Sequence, residues 1–396
     1  MNGPSYHRSL SCVWLALFPL FADTLVADHT LLRTHGDRMW LIHLDASGKV
    51  TREKAVPVAL PSGATIAFAP GTRLGTIILP SETNVVSKAS LRMISEINKE
   101  CGVDLIGVPG RLDGTGVVNA ARSPKGSRIA LLKWGGPKGG YTEGPLEIRD
   151  MDLKLMYEIK ETGPQPASWD PSGSLLAFYH RVDRSTFEKV FGKATDEQYG
   201  RFETWVQHFD FFGFKVVKVG ERAAEVVYAE PPIENQSPWT ESMVPRQPPI
   251  WASEGSLLFA FTKGEGDPVL IRFDAPKPVR NKTEERVNPG PVPRSDKWIT
   301  IQNGITPRDE SAYAVAAADG TPLVKFSVPV GEVKIRSMTF MKARCIVWAL
   351  ADQLFVMKED VDGTHRWVTT RDGKDMADLG ECEVWVLGPE PKAEHP

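Results

Sequence analysis

Apolar and polar positions recur along this chain in a fixed order. Three segments align without gaps: ARSPKGSRIALLKW from Ala121, SWDPSGSLLAFYHR from Ser168 and IWASEGSLLFAFTK from Ile250. Each has a short polar turn, a glycine (Gly126, Gly173 or Gly255), a serine and then a continuous apolar run. In the second copy Pro171 presets φ for a turn corner, Ser168 and Asp170 are placed to bond nearby backbone, and Gly173 accommodates positive φ. An apolar run of this length, bounded by turns, predicts a strand buried on both faces. Looser copies start at Ala69 (APGTRLGTIIL), Pro293 (PRSDKWITI) and Met341 (MKARCIVWAL).

A second pattern follows these strands. LIHLDASGKV, LEIRDMDLKLMYEI, KVVKVGERAAEVV, AVAAADGTPLVKF and FVMKEDVDGTHRWV are more polar extended runs broken at Asp and Gly, which is hairpin chemistry. The unit is therefore a buried strand, a more polar strand, a tight turn and another strand. Buried strands fall near residues 29, 72, 127, 174, 256, 297 and 343, and the one interval of 82 residues holds an insertion. Four strands per unit at a period of about 40–50 residues predict β-propeller blades. The first unit lacks its innermost strand, and CEVWVL at residues 382–387 is left over at the end. That segment is expected to pair into the first blade and close the ring, which removes exposed sheet edges. The expected fold class is all-β: a single β-propeller of seven four-stranded antiparallel blades, six or eight being the alternatives, with a short helical insertion.

SPKGSRIALL and DPSGSLLAFY resemble the Ser-Pro-Asp-Gly-x-x-Leu-Ala-Phe repeat of TolB-type, WD-repeat-like propellers. The resemblance extends over residues 28–390, with Lys125 at the family's Asp position and, in the second copy, Asp170 before the proline and Ser172 after it. No Gly-His occurs, and the one Trp-Asp pair, Trp169-Asp170, stands in a turn and does not recur as the marker of true WD repeats does. The resemblance implies a ring fold prone to interactions and implies no reaction, because propellers host unrelated functions. Trp169 and Trp251 occupy equivalent turn positions and are expected to pack between blades.

Composition adds a leader and removes several function classes. After His7 and Arg8 comes an apolar run, CVWLALFPLFA, then DTLVAD, so residues 1–27 read as a signal peptide and the protein as exported, periplasmic or extracellular. That run is too short for a membrane span. Residues 28–390 form the propeller, with an insertion at 181–205 and a Pro-rich rim loop at 231–249, and residues 391–396 are a tail. A net charge of −3 with both signs interspersed gives no footprint for nucleic acid. Cys101, Cys345 and Cys382 beyond the leader make no disulfide framework and no C-x-x-C pair. A monomer is expected.

Local catalytic motifs are missing. There is no Gly-x-Ser-x-Gly elbow, His-Glu-x-x-His or phosphate-binding Gly-x-x-x-x-Gly-Lys, and GTGVVN from Gly114 reads as a linker between blades. No His pair has metal-ligand spacing, so no metal site and no cofactor is expected. Ser168, Asp170 and His180 hold the elements of a nucleophilic site, but the first two sit in a turn and the third beyond the strand that follows. His180 opens the insertion, where a capping-box start at Ser185 and the apolar positions Phe187, Val190 and Phe191 predict a short helix. The candidate binding residues are His180, Arg181, Asp183 and Trp205 of the insertion, with Trp239 and Met243 of the rim loop. The function expected is an exported, non-catalytic module that binds a protein or small-molecule ligand through these loops. The alternatives are a propeller enzyme, hydrolase or lyase, with its site in the central funnel, or a regulatory propeller serving a separate peptidase.

Overall fold

The computed structural model describes residues 29–69, 72–133, 145–159, 167–181, 212–229, 249–251, 257–261, 268–273, 277–282, 298–301, 310–316, 322–329, 331–335, 338–342, 344–351, 354–359, 365–370 and 374–388. The first unit holds β1 (His29–His35), β2 (Arg38–Leu44) and β3 (Val50–Val56). Next come β4 (Thr65–Phe68), β5 (Leu74–Thr83), the helix α1 (Lys88–Cys101) and β6 (Asp104–Leu112), then β7 (Thr115–Arg122), β8 (Ile129–Lys133), β9 (Leu146–Arg149) and β10 (Leu155–Ile159). Two regular units follow, β11 (Ser168–Trp169), β12 (Leu175–Arg181), β13 (Phe212–Val219) and β14 (Ala224–Ala229), then β15 (Ile250–Trp251), β16 (Leu257–Phe261), β17 (Pro268–Arg272) and β18 (Val279–Lys282). The rest are β19 (Trp298–Ile301), β20 (Glu310–Ala316), β21 (Pro322–Pro329), β22 (Gly331–Ile335), β23 (Met338–Lys342), β24 (Arg344–Ala351), β25 (Leu354–Glu359), β26 (His365–Thr370), β27 (Asp375–Glu381) and β28 (Glu383–Leu387).

Units β11–β14, β15–β18 and β24–β27 are four-stranded and antiparallel, as expected of blades. The first sheet becomes four-stranded only through the end of the chain: β28 pairs antiparallel with β1, Thr30 opposite Leu387 and Thr34 opposite Glu383. Arg73 reinforces this junction, its buried guanidinium donating to the carbonyls of Gly388, Cys101 and Gly102.

Elsewhere the architecture departs from uniform blades. Strands β4 to β10 form one seven-stranded sheet in which β5 and β6 run parallel, joined across α1. The β6–β7 junction is a hairpin tip of only two residue pairs, Arg111 with Gly116 and Leu112 with Thr115. The two halves then face each other, with Ile78, Val108 and Leu112 packed on Ala120, Ile129 and Leu131. Strands β19–β21 form a three-stranded sheet and β22–β23 a two-stranded one. The helix was expected in the insertion at 181–205, which beyond Arg181 lies outside the described residues; the helix observed is α1. Its signals are local: Ser87 caps it by accepting the Ser90 N–H, Ile94, Ile97 and Cys101 bury one face, and Gly102 ends it at φ 60°. Asn98 then stitches it to β6 through two hydrogen bonds with the Leu105 backbone.

The repeated turns are conformational copies. The N–H groups of Ala69, Ser123 and Asp170 each donate to the carbonyl five residues on, that of Leu74, Arg128 or Leu175, at 2.8–2.9 Å. Each of these residues also accepts from the third residue on, Thr72, Gly126 or Gly173. The loose copy at Ala69 is thus a true repeat. The position just before each turn reaches back to the preceding unit. Trp169 donates its indole N–H to Ala121 O at 2.9 Å, and Trp251 donates to Ser168 O at 3.0 Å. Arg122, at the same position, donates to the Asp104 carbonyl and carboxylate, while Phe68 meets Trp385 of β28 edge-on at 6.3 Å. First strands of successive units accordingly touch in order: β4 with β7, β7 with β11, β11 with β15.

Cores lie between units. Leu350, Leu354 and Val368 pack on Leu31, Ile42 and Val384. Leu41 and Val56 pack on Ile66, Ile77 and α1. Leu132 and Ile148 pack on Trp169, Leu176 and Phe178, and Tyr179 and Val216 pack on Trp251, Leu258 and Ile271. Trp169 is therefore expected to carry much of one seam. Trp169→Phe should cost about 1–2 kcal/mol, since it leaves the Ala121 carbonyl without its donor, and Trp169→Ala about 3–5 kcal/mol. Denaturant melts of both variants measure this; equal stability of wild type and Trp169→Ala would remove the seam from the account.

Candidate functional site

The structure separates the residues of the apparent nucleophilic site. Asp170 is buried and its carboxylate is consumed by its own turn: Oδ1 accepts from the N–H groups of Ser174 and Leu175, and Oδ2 from Ser172 N–H and Oγ. Ser168 pairs with Ala177, on the face of β12 that packs on the following unit, and His180 lies further along β12 on the other face, opposite Gly213. His180 is half-buried and, by strand alternation, shares the face of Leu176 and Phe178, which packs on the preceding unit. Arg181 ends β12 opposite Phe212. Asp183, Trp205, Trp239 and Met243 lie outside the described residues.

A charged constellation that no local motif announces lies in the seam beside β8. Lys133 ends β8, Glu147 and Arg149 belong to β9, and Asp113 occupies the β6–β7 hairpin tip. Lys133 Nζ stands 2.7 Å from Glu147 Oε1, and Arg149 Nε stands 2.6 Å from Glu147 Oε2. Arg149 Nη2 also reaches Asp113 Oδ2 at 2.5 Å, with Lys133 Nζ 3.4 Å from the same oxygen. The side chains of Lys133, Glu147 and Arg149 are only 4–5% exposed, whereas Asp113 is 64% exposed. Alternation explains the placement: Lys133 shares the face of Ile129 and Leu131, toward the β5–β6 half. In the repeat alignment Lys133 and His180 occupy one position, so successive units carry a proton-active residue there.

Two buried cations and one buried carboxylate need a further negative charge, because an uncompensated charge in low dielectric is costly. Asp113 supplies it from the solvent side. Burial pulls the Arg149 guanidinium down, but hydrogen bonds with Glu147 and Asp113 outweigh it and hold this group above its ordinary range. The hydrogen bond from Arg149 in turn holds the Asp113 carboxyl below its ordinary range. The cluster therefore presents one ionised, water-facing carboxylate backed by an ammonium and a guanidinium. That combination can orient water and stabilise developing negative charge.

The other titratable groups offer less. His365 Nε2 and Asp378 Oδ1 pair at 2.7 Å with the imidazole stacked on Trp367, on an exposed edge. Cys101 and Cys382 are free and buried, and burial pushes each thiol up to about 11. They stay protonated near neutral pH and are poor nucleophiles. Among the described residues no group of three or more His, Cys, Asp or Glu is arranged to hold a metal ion.

No family model matches the sequence, and none of the curated proteins matches it. Solved structures are similar at low identity. The periplasmic gluconolactonase PpgL of Pseudomonas aeruginosa is 11% identical, with a TM-score of 0.46 over 91% of this chain and 99% of its own. A putative 6-phosphogluconolactonase from Bacteroides uniformis is 10% identical, with a TM-score of 0.44 over 91% of this chain and 98% of its own. The β-propeller domain of Myceliophteria thermophila Cps50 (Swd1) is 13% identical, with a TM-score of 0.33 over 69% of this chain and 77% of its own. The many antiparallel sheets stacked in chain order are of the β-propeller kind. Two of these structures are named as enzymes, against the expectation of a non-catalytic binding module. That expectation rested on missing local motifs, and a propeller can assemble reacting groups from separate strands without one.

The depressed Asp113 carboxyl has a sign that can be tested. Its stabilising contribution is present above the ordinary carboxylate value near 4 and is lost as pH falls through the lower folded-state value. Asp113→Asn should lower stability by about 1–2 kcal/mol at neutral pH, between the ranges for exposed and buried pairs. The gap to wild type should stay constant from pH 7 to about 5 and narrow below about 4. Unfolding curves at several pH values measure it, and a gap that widens in acid contradicts the ion-pair assignment.

Proposed function

We propose that this chain is a propeller enzyme of the hydrolase class, acting on carboxylic esters, open-chain or cyclic. The observation that carries the reading is the Asp113–Lys133–Glu147–Arg149 cluster, three buried charged side chains ending in one water-facing carboxylate. In this reading Asp113 orients a water and takes its proton as the oxygen attacks the ester carbonyl carbon. Lys133 and Arg149 stabilise the oxyanion, and Glu147 holds both cations in place. The carbon–oxygen bond to the leaving alkoxide then breaks, and the proton passes to that alkoxide, giving an acid and an alcohol.

The same reading takes the sheets as seven blades: the first closed by β28, the seven-stranded sheet counted as two, the two regular units, β19–β23 together, and β24–β27. The repeat supports a TolB-type ring, and residues 1–27 support export. The experiment is a panel of esters and lactones assayed with wild type, Asp113→Asn and Lys133→Met, each checked for folding by thermal unfolding. Wild type should turn over at least one member of the panel, with kcat/KM falling about 100-fold or more in folded Asp113→Asn. Lys133→Met should lower kcat by about 100-fold or more. No turnover by wild type overturns the hydrolytic reading, and full activity in folded Asp113→Asn overturns the site.

A further inference from the structure

The β2–β3 and β9–β10 hairpins turn on one backbone frame. Asp45 and Asp150 each donate a backbone N–H to the carbonyl of Lys49 or Lys154, and each accepts at its own carbonyl from the N–H of Gly48 or Leu153. Each carboxylate Oδ1 also accepts two N–H groups of its turn, those of Ser47 and Lys49 or of Asp152 and Lys154, at 2.9–3.0 Å. The frame takes a left-handed residue just before the lysine. The first hairpin supplies Gly48 at φ 86°, and the second supplies Leu153 at φ 62°. Among the described residues the other non-glycine residues at positive φ are Asn84 and Asp113, whose short polar side chains suit that conformation. A leucine there is strained, and the surrounding structure must hold it.

Leu153 is engaged at both ends. Its side chain is half-buried and packs, with Met151, against the core that includes Val108, Leu112 and Ile129. Its carbonyl accepts from Arg149 Nη1. The same guanidinium donates through Nε to Glu147 and through Nη2 to Asp113, so the Leu153 carbonyl fixes the third direction of a planar group. Being neutral, this acceptor orients Arg149 without changing the charge balance of the cluster. A glycine in its place would make the turn with less strain but would leave it without a side chain to fasten it to the core.

We infer that Leu153 is a positioning residue: its side chain anchors the β9–β10 turn in the seam, and its carbonyl thereby holds the Arg149 guanidinium in register with Asp113. The effect on turnover rests on the hydrolytic reading; the effect on the Asp113–Arg149 pair does not.

The test is an NMR titration of the aspartate side-chain carboxyls in the full chain, with the Asp113 signal assigned by its loss in Asp113→Asn. Wild type should titrate Asp113 below the ordinary carboxylate value of about 4. Leu153→Gly should raise that midpoint by about half a pH unit or more, whereas Leu153→Met, which keeps an apolar side chain of similar reach, should leave it in place. With an ester or lactone that wild type turns over, Leu153→Gly should lower kcat about 10-fold at nearly constant KM, and Leu153→Met should restore most of it. A leucine that only stabilised its turn would move neither the midpoint nor kcat. Thermal unfolding checks that the variants fold, and Leu153→Asn, also at ease in this conformation, replaces Leu153→Gly should that variant not fold. An unchanged Asp113 midpoint in the folded variant overturns the inference, as does an unchanged kcat. Absence of turnover by wild type overturns the hydrolytic reading alone, because the titration still decides whether Leu153 holds the pair.

Discussion

The sheets built on β1–β3, β4–β10, β11–β14 and β24–β27 carry apolar residues on both faces, and neither face can be left in water. That constraint organises the molecule. A sheet of four short strands cannot bury both surfaces by itself, so each must be sandwiched between its chain neighbours. The observed cores obey this: each gathers residues from successive sheets, and the last sheet packs on the first. The turn-flanking position adds direction to the stacking. An indole N–H donated to a carbonyl of the preceding unit, by Trp169 and again by Trp251, is satisfied only at one offset between sheets. Where Arg122 replaces the tryptophan, a guanidinium reaches the same neighbour through a carbonyl and a carboxylate.

The charged cluster depends on the same constraint. Lys133, Glu147 and Arg149 sit on a strand face that the stacking buries, so their charges must neutralise one another or the seam would open. Asp113 completes the balance because the β6–β7 hairpin folds one half of the seven-stranded sheet over the other. An entirely apolar seam at this place would be at least as stable. Retaining four charges there, with one carboxylate open to water, gives this seam a chemical reading that the other seams among the described residues lack.

Much of the fold was legible in the turns. Gly126 and Gly173 stand where the chain needs positive φ, at 71° and 68°, and the weak copy at Ala69 makes the same backbone bonds as the strong ones. The pairing of the terminal strand with β1 followed from one unit short of a strand and one strand left over. Helix α1 was not legible, for an equally physical reason. Lys88–Cys101 is bounded by a serine cap and a glycine stop, but it is the crossover between two parallel strands, which a repeat of antiparallel strands does not call for. The candidate site was illegible because its other members lie between 20 and 36 residues from Asp113 in sequence and carry no motif. Glu147 and Arg149 fall in LEIRDMDLKLMYEI, one of the more polar hairpin runs.

The sequence by itself determined the repeat, the turn chemistry and the alternation of faces, because these depend on neighbours a few residues apart. It also determined the end-to-end strand pairing, through a simple imbalance in strand supply. Which face of each polar strand meets water was decided only in the tertiary structure, since that depends on the sheet packed opposite. So was the meeting of Asp113 with Lys133 and Arg149, which requires one hairpin tip to bend two halves of a sheet together.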